Sequence, residues 1–354
     1  MGFLNLFKKK EKYAESVVLI DIGADSVAGA YVRYAENEIP VLLFARRVLI
    51  EIREGETHEH AMMHALETLG VDLIREGAPS LLRATGSGSV EMIFVSVDAP
   101  WQETILRAEH LERRDPFIFS ESIVGNLLEN TAVVSEKHCA NESIVSTVLN
   151  GYETPRPYGE KIHRASITIL TSLIDTHIFK SITAMLRGLY HTDRVLFISG
   201  RSLRSQAMRA AFPHEHDAII LDAIGPLASI ALVRKNIFTA FSEIENSTSD
   251  ANSWLEKVAN EFSELAKQHT LPRVLFLLAH ESEISSLQQA LALASPTGGF
   301  NSLWASNTPP KVVPILAGHI AGSVKQATDA HPDLRLFLSA LYYQNAHQST
   351  PEFA

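Results

Sequence analysis

The residues best equipped for chemistry in this 354-residue sequence are two aspartates at the ends of apolar runs. Asp21 leads the turn Asp21-Ile22-Gly23 out of the run 17–22, and Asp222 opens Asp222-Ala223-Ile224-Gly225 after the run 217–222. A carboxylate at a strand end can hold a hard cation, and a following glycine lets backbone N–H groups come close to a phosphate. Histidines form two further groups, His58, His60 and His64, and His214 and His216 flanking Glu215. His60 and His64 are i, i+4 neighbours with Glu59 beside them, a spacing open to a metal. However, HExxH is absent and no cysteine or distant acidic cluster offers further ligands, so a solvated helix start is the favoured reading. His214-Glu215-His216 reads as a solvated loop after Pro213. Gly86-Ser87-Gly88-Ser89 lacks the third glycine and the preceding strand of a dinucleotide fingerprint and reads as a plain turn. Neither a Gly-x-Ser-x-Gly elbow nor a Gly-x-x-x-x-Gly-Lys-Ser/Thr loop is present.

The elements that must position the two aspartates follow from hydrophobic patterning. The runs 17–22, 29–34 and 41–50 read as strands joined by short turns, a hairpin extended to a meander. A helix over 60–73 carries Met62, Met63, Leu66, Leu69 and Leu73, and Gly77-Ala78-Pro79 is expected to stop it. Residues 91–199 read as a separate α+β unit: a strand at 92–97, helices near 103–113 and from 120, strands at 143–149 and 165–173, a helix at 178–189 and a strand at 195–199. The opening theme recurs at 217–222, 229–234 and 237–241, which suggests two similar lobes. A helix at 252–267, a strand at 274–279, a helix at 284–294, a loop at 295–310 and a closing helix at 314–326 complete the reading. Residues 344–354 are polar and expected to be disordered.

Composition bounds the function classes. Hydrophobic residues are 46% and charged residues 20%, the balance of a chain with a real core, which excludes disorder and fibrous repeats. The net charge of −10 supplies no global basic field for nucleic acid. Runs such as 274–279 fall far short of the ~18–20 residues that span a bilayer. The single cysteine, Cys139, forbids an intrachain disulfide and suits a reducing cytosol.

Two lobes that each open with a strand, an Asp-to-Gly turn and a hairpin resemble the actin-like ATPase superfamily, and within it the bacterial branch of FtsA and the type IV pilus assembly protein PilM. The interruption of the first lobe by an α+β insert, the stretch Val148-Leu149-Asn150-Gly151-Tyr152 leading to Pro157-Tyr158-Gly159, and the start Gly2-Phe3-Leu4-Asn5-Leu6-Phe7-Lys8-Lys9-Lys10 carry that resemblance. It implies an α/β, two-lobed actin-like (RNase H-like, duplicated) fold. The expected parts are a basic and apolar stub at 1–15, a first lobe at 16–90, an inserted subdomain at 91–199, a reduced second lobe at 200–330 and a tail at 331–354. It also implies a nucleotide site in which Asp21, Gly23, Ser26, Asp222 and Gly225 approach ATP, with Mg²⁺ near Asp21 and Asp222. The stretch 313–321 resembles the last connecting helix of the family.

Departures from the family pattern argue against a working site. Asp25 follows the first turn where relatives carry small hydroxyl residues, and Pro226-Leu227-Ala228 replaces a Gly/Thr-rich second turn and removes an N–H. Ala279-His280-Glu281 lacks the paired glycines of the adenosine turn, and only 57 positions separate Asp222 from Ala279, where relatives fit a further subdomain. The expectation is therefore a cytoplasmic, nucleotide-free scaffold at the inner face of the membrane, without catalytic residues, metal or cofactor. It would hold the cytoplasmic tail of an inner-membrane pilus or division protein. Its own peripheral membrane contact would run through Phe3, Leu4, Phe7, Lys8, Lys9 and Lys10. The alternatives are a Mg-ATP-binding ATPase using Asp21 and Asp222, or an FtsA-like division adaptor; the missing subdomain weighs against a filament former.

Overall fold

The computed structural model describes residues 15–129, 136–154, 157–246, 251–293, 304, 310–327 and 332–348. The chain runs β1 (Glu15–Ile22), β2 (Ser26–Tyr34), β3 (Val41–Leu49), α1 (His58–Asp72), a π-turn at Leu73–Gly77, α2 (Ala78–Thr85) and β4 (Met92–Val97). Next come β5 (Gln102–Ile118), α3 (Glu121–Glu129), β6 (Lys137–Leu149), β7 (Tyr152–Glu153), β8 (Lys161–Asp175), α4 (Thr176–Tyr190), β9 (Val195–Ser199) and α5 (Gly200–Ala211). The second half holds β10 (Ala218–Asp222), β11 (Leu227–Arg234), β12 (Ile237–Glu245), α6 (Ala251–Gln268), β13 (Val274–Leu278), α7 (Ile284–Leu293), β14 (Lys311–Pro314), α8 (Ala317–Ile320), β15 (Lys325–Gln326) and α9 (Leu334–Gln348).

The duplication expected from the sequence is visible in the sheets. One has the order β15-β3-β2-β1-β4-β9 and the other β12-β11-β10-β13-β14. In each, a first strand pairs antiparallel with a hairpin strand and parallel with a strand from beyond the next helix. Both faces of each central strand are buried, which is why β1 and β10 read as continuous apolar runs rather than alternating ones. Val17 and Leu19 of β1 face the space between the lobes, while Val18, Ile20 and Ile22 face α1 and α4. In the second lobe Ile220 faces inward, and Ile219 and Leu221 pack under Trp254, Val258 and Phe262 of α6. The third sheet, β5-β8-β6-β7, is the inserted unit, with its own small core around Phe119, Val124, Ile167 and Ile169.

Four sequence expectations need correction. The stretch 103–113 is not helical. It lies within β5, where Ile105, Arg107, Glu109 and Leu111 alternate along the strand and eleven register pairs from Gln102 to Glu112 bind it to β8. Its charges are compatible with an exposed helix, but period-2 pairing on a long neighbour prevails. The unit taken as 91–199 is narrower, because β4 and β9 hydrogen-bond into the first sheet and only the strands between them form a separate one. Gly77-Ala78-Pro79 does not end the helix. A π-turn absorbs the glycine, and Pro79 sits in the first turn of α2, where a missing N–H carries no penalty. Finally, 314–326 is a strand end, one helical turn and β15 rather than a helix.

The expected polar tail from 344, within the span 331–354, proves to be partly structural. Helix α9 runs to Gln348 and places Leu336, Phe337, Leu338 and Ala340 in the core between the lobes. Tyr343 donates its hydroxyl to Glu15 at 2.8 Å, tying the helix to the first strand. The lysine-rich start and the loop at 295–310 (Trp304 and Pro310 apart) lie outside the described residues. Because Phe337 is 2% exposed, Phe337→Ala should cost about 3–5 kcal/mol in urea unfolding. A change below about 0.5 kcal/mol would mark 334–348 as an appendage.

Candidate functional site

Both Asp-to-Gly turns lie at the same end of their sheets, facing the gap between the lobes. Asp21 is buried at the end of β1 and Asp222 at the end of β10. A third strand-end aspartate, Asp98, follows β4 and is buried as well. The sequence reading singled out the first two and missed Asp98, although it stands after an apolar strand in the same way.

Each of these carboxylates meets an arginine of the chain itself. Arg204 of α5 is 1% exposed and lies between two of them. Its Nη1 and Nη2 donate to the two oxygens of Asp98 at 2.8 and 3.0 Å, and its Nε donates to Asp222 Oδ2 at 2.6 Å. A planar fork of donors suits two carboxylates at once. Since Asp98 belongs to the first lobe and Asp222 to the second, this one side chain joins the two. Gly200 gives it room: a Cβ there would stand 2.5 Å from Asp98 Oδ1 and 2.8 Å from Arg204 Nη1.

Asp21 has its own set of partners. Ser96 Oγ donates to its Oδ1 at 2.8 Å, while Arg335 Nε and Arg47 Nη2 stand 3.3 and 3.5 Å from its Oδ2. Ser26 Oγ accepts from both arginines, at 3.1 Å from Arg335 and 2.8 Å from Arg47. Asp333 fixes this arrangement from the other side. One of its oxygens caps α9 by accepting the backbone N–H groups of Arg335 and Leu336, and the other accepts from Arg47 Nε at 2.8 Å. Gly23 is required by close approach, since a Cβ would fall 2.7 Å from Arg335 Nη1.

The electrostatic consequences have clear directions. Burial alone would raise Asp21, but Arg335, Arg47 and Arg204 together with the Ser96 bond hold its carboxyl below the usual value. Burial pushes Asp222 up, Arg204 opposes this, and the neighbouring charge of Asp98 adds to the rise. Arg204 is held cationic because its two aspartates outweigh its own burial. A second buried arginine, Arg201, lies 3.3 Å from Glu243 of β12 and donates to Gln102 at 3.4 Å, a further tie between the start of the insert and the second lobe.

The backbone donors of Gly23, Ala223 and Ile224 in these turns are also engaged. The N–H of Gly23 bonds to Ser26 O at 2.9 Å, and that of Ile224 to the Asp222 carboxylate at 3.1 Å. Gly225 adopts φ +87°, Pro226 has no N–H, and Asn246 caps the turn by donating to the carbonyls of Ala223 and Gly225 at 2.7 Å each. Outside this plug a cleft of about 670 Å³ remains, lined among others by Asp25, Ile224, His280, Leu316 and Asp333. Its two guanidinium groups, Arg47 and Arg335, are those already paired with Asp21 and Asp333. Asp25 itself is exposed, with His280 at 4.0 Å.

The histidine groups are not drawn together. His58 contacts the carbonyl of Ala24 at 2.8 Å and packs on Trp101, His60 pairs with Glu56, and His214 and His216 are exposed. Among the described residues no group of three or more His, Cys, Asp or Glu side chains has metal-holding geometry. The arginines were missed in sequence. The signal was present in Gly200-Arg201-Ser202-Leu203-Arg204, two arginines three apart among small and apolar residues in the first turns of a helix.

No family model and no curated protein matches the sequence. Solved structures do. A chain of a PilM-PilN type IV pilus biogenesis complex matches over 93% of this chain and 98% of that one, at 12% identity and a TM-score of 0.57. With the duplicated sheet order, that match decides the architecture. This chain has the actin-like fold. Weaker likenesses include a Bacteroides thetaiotaomicron protein with an actin-like ATPase fold and unknown function, at 12% identity over 79% of this chain and 88% of that one, TM-score 0.43. The cytoplasmic domain of EpsL, an inner membrane component of the type II secretion system of Vibrio cholerae, is 11% identical over 95% and 96% of the two chains, TM-score 0.40. In this actin-like chain the strand-end aspartates Asp98 and Asp222 face each other across a guanidinium group.

Arg204→Met would leave Asp98 and Asp222 buried without their cation. It should destabilise the protein by about 3–5 kcal/mol in urea unfolding, and the triple variant R204M/D98N/D222N should recover part of that loss. Equal stability of R204M and the unaltered chain would show that the network is not structural.

Proposed function

We propose that this chain is a nucleotide-free actin-like scaffold. It works in the cytoplasm at the inner face of the membrane, in the assembly platform of a type IV pilus or a related secretion machine. The observation that carries the reading is Arg204, a permanent cation between the aspartates of the two lobes, where ATP and Mg²⁺ would be expected to join them. Arg335 and Arg47 stand in the same relation to Asp21. Mg²⁺ needs carboxylate oxygens free to enter its octahedron, and here one oxygen each of Asp21 and Asp222 meets guanidinium groups while the other accepts from Ser96 or the Ile224 N–H. Turnover is accordingly not part of this role, and no catalytic residue is assigned.

The pilus assignment rests on the likeness to a chain of the PilM-PilN complex across nearly the whole of both chains. The partner in this reading is the short cytoplasmic tail of a membrane pilus protein. It would lie extended in the groove between the inserted sheet and the first lobe, held by backbone pairing and apolar pockets. The lysine-rich start, with Phe3, Leu4 and Phe7, would add weak contact with an anionic membrane surface.

Calorimetric titration of the full chain with a synthetic peptide of that tail, from the PilN-type protein of the same organism, tests the reading. One-to-one binding in the micromolar range, unchanged by Mg-ATP, is the expected result. Absence of heat at about 100 μM peptide, or affinity that appears only with Mg-ATP, would contradict it.

A further inference from the structure

Strand β5 extends over 17 residues and is bonded along one side only, to β8. Among the described residues no strand pairs with its other side. A long open edge invites another strand. This one exposes Ile105 and Leu106, at 42% and 41%, among the charges Glu103, Arg107, Glu109, Glu112 and Arg113. We propose that this edge pairs antiparallel with β5 of a second copy of the chain, about a two-fold axis at Ala108.

The occupant is set by charge complementarity in one register. With Ala108 opposite itself, and within the regular register that ends at Glu112, Arg107 lies opposite Glu109 of the second copy and Ile105 opposite Leu111. Symmetry makes each of these contacts occur twice. On the other face Thr104 meets Glu112 and Leu106 meets His110, so like charges are nowhere opposed. Slipping the pairing by two residues sets Arg107 against Arg107 in one direction and Glu109 against Glu109 in the other. A one-residue slip opposes Glu103 to Glu112 or Ile105 to Glu112. Like charges directly opposite destabilise a ladder and opposite charges support it, so the sequence of this edge selects its own antiparallel partner.

The local structure prepares the contact. Arg107 already bonds Glu142 of β6 at 3.1 Å and stands 3.6 Å from Glu109 of its own strand, so its guanidinium is held on the face where the second Glu109 would arrive. Ala108, with the smallest side chain of the central residues, occupies the axis. A single strand pair buries little area compared with a standard interface, so dissociation should lie on the order of tens of micromolar.

Sedimentation velocity of the full chain from about 1 to 200 μM tests the proposal, with thermal melting to verify that each variant is folded. The unaltered chain should pass from monomer to dimer. Glu109→Arg opposes arginines twice across the axis and should weaken the dimer about tenfold or more, and R107E/E109R should restore it to within about threefold. In a Cys139→Ser background, Ala108→Cys should cross-link to a dimer under mild oxidation, and Leu111→Cys, which faces Ile105, should not. A chain that stays monomeric throughout, a dimer indifferent to Glu109→Arg, or stronger cross-linking at 111 than at 108 would each overturn the proposal.

Discussion

The structure depends on one guanidinium group. Arg204 is withdrawn from water between Asp98 and Asp222, which lie on different sheets. Taking such charges from solvent costs several kcal/mol per ion, a penalty offset only where geometry and hydrogen bonding are good. Here four hydrogen bonds meet that condition: three arginine donors reach carboxylate oxygens and Asp222 accepts the Ile224 N–H, while a glycine at 200 clears the space. An apolar replacement of equal volume could be as stable, so the network's physical role is specificity. With the Arg335–Asp21 and Arg47–Asp333 pairs and the apolar packing around α5 and α9, it fixes how the two lobes meet.

Helix α9 extends the same logic. It fills the space between the lobes with Leu336, Phe337 and Ala340, and its N-terminal turn sends Arg335 to Asp21 while Asp333 holds Arg47. Two lobes that meet at a ligand can open and close with it. On the proposed reading, two lobes joined by internal ion pairs and a shared helix would have no such cycle, and their surfaces would keep one relative arrangement. That is the property a scaffold needs, and the proposed reading accounts in this way for strand-end aspartates bonded to arginines of the chain itself. The open cleft outside the arginines is what remains of the gap once its floor is filled.

Much of the fold was legible because β1 and β10 are buried on both faces, and strands of that kind give unbroken apolar runs followed by turn residues. The duplicated order of hairpin and helix followed from them. What the sequence concealed was of two kinds. Strand β5 carries charges at nearly every second position, since it is an edge strand with one solvated side, and local composition there imitates an exposed helix. Helix α9 ends in polar residues because only part of its surface faces the core. The site divides the same way: Asp21, Gly23, Ser26, Asp222 and Gly225 are found around the gap, but their meaning is set by Arg204, Arg335 and Arg47. Arg204 lies 18 residues before Asp222 and 106 after Asp98, Arg47 lies 26 after Asp21, and Arg335 comes from the far end of the chain, a proximity no local pattern encodes.

The central claim is that internal cations occupy the place of Mg-ATP, and thermal unfolding of the purified chain with and without the ligand tests it most directly. A ligand bound with a dissociation constant of about 100 μM would, at about 2 mM, add roughly 1.8 kcal/mol to the folded state. For a chain of this size that would move the melting temperature by roughly two degrees or more. The expected result is a melting temperature unchanged within about one degree. A reproducible rise of several degrees that requires both Mg²⁺ and ATP would contradict the account, because it would mean that the arginines yield to the nucleotide.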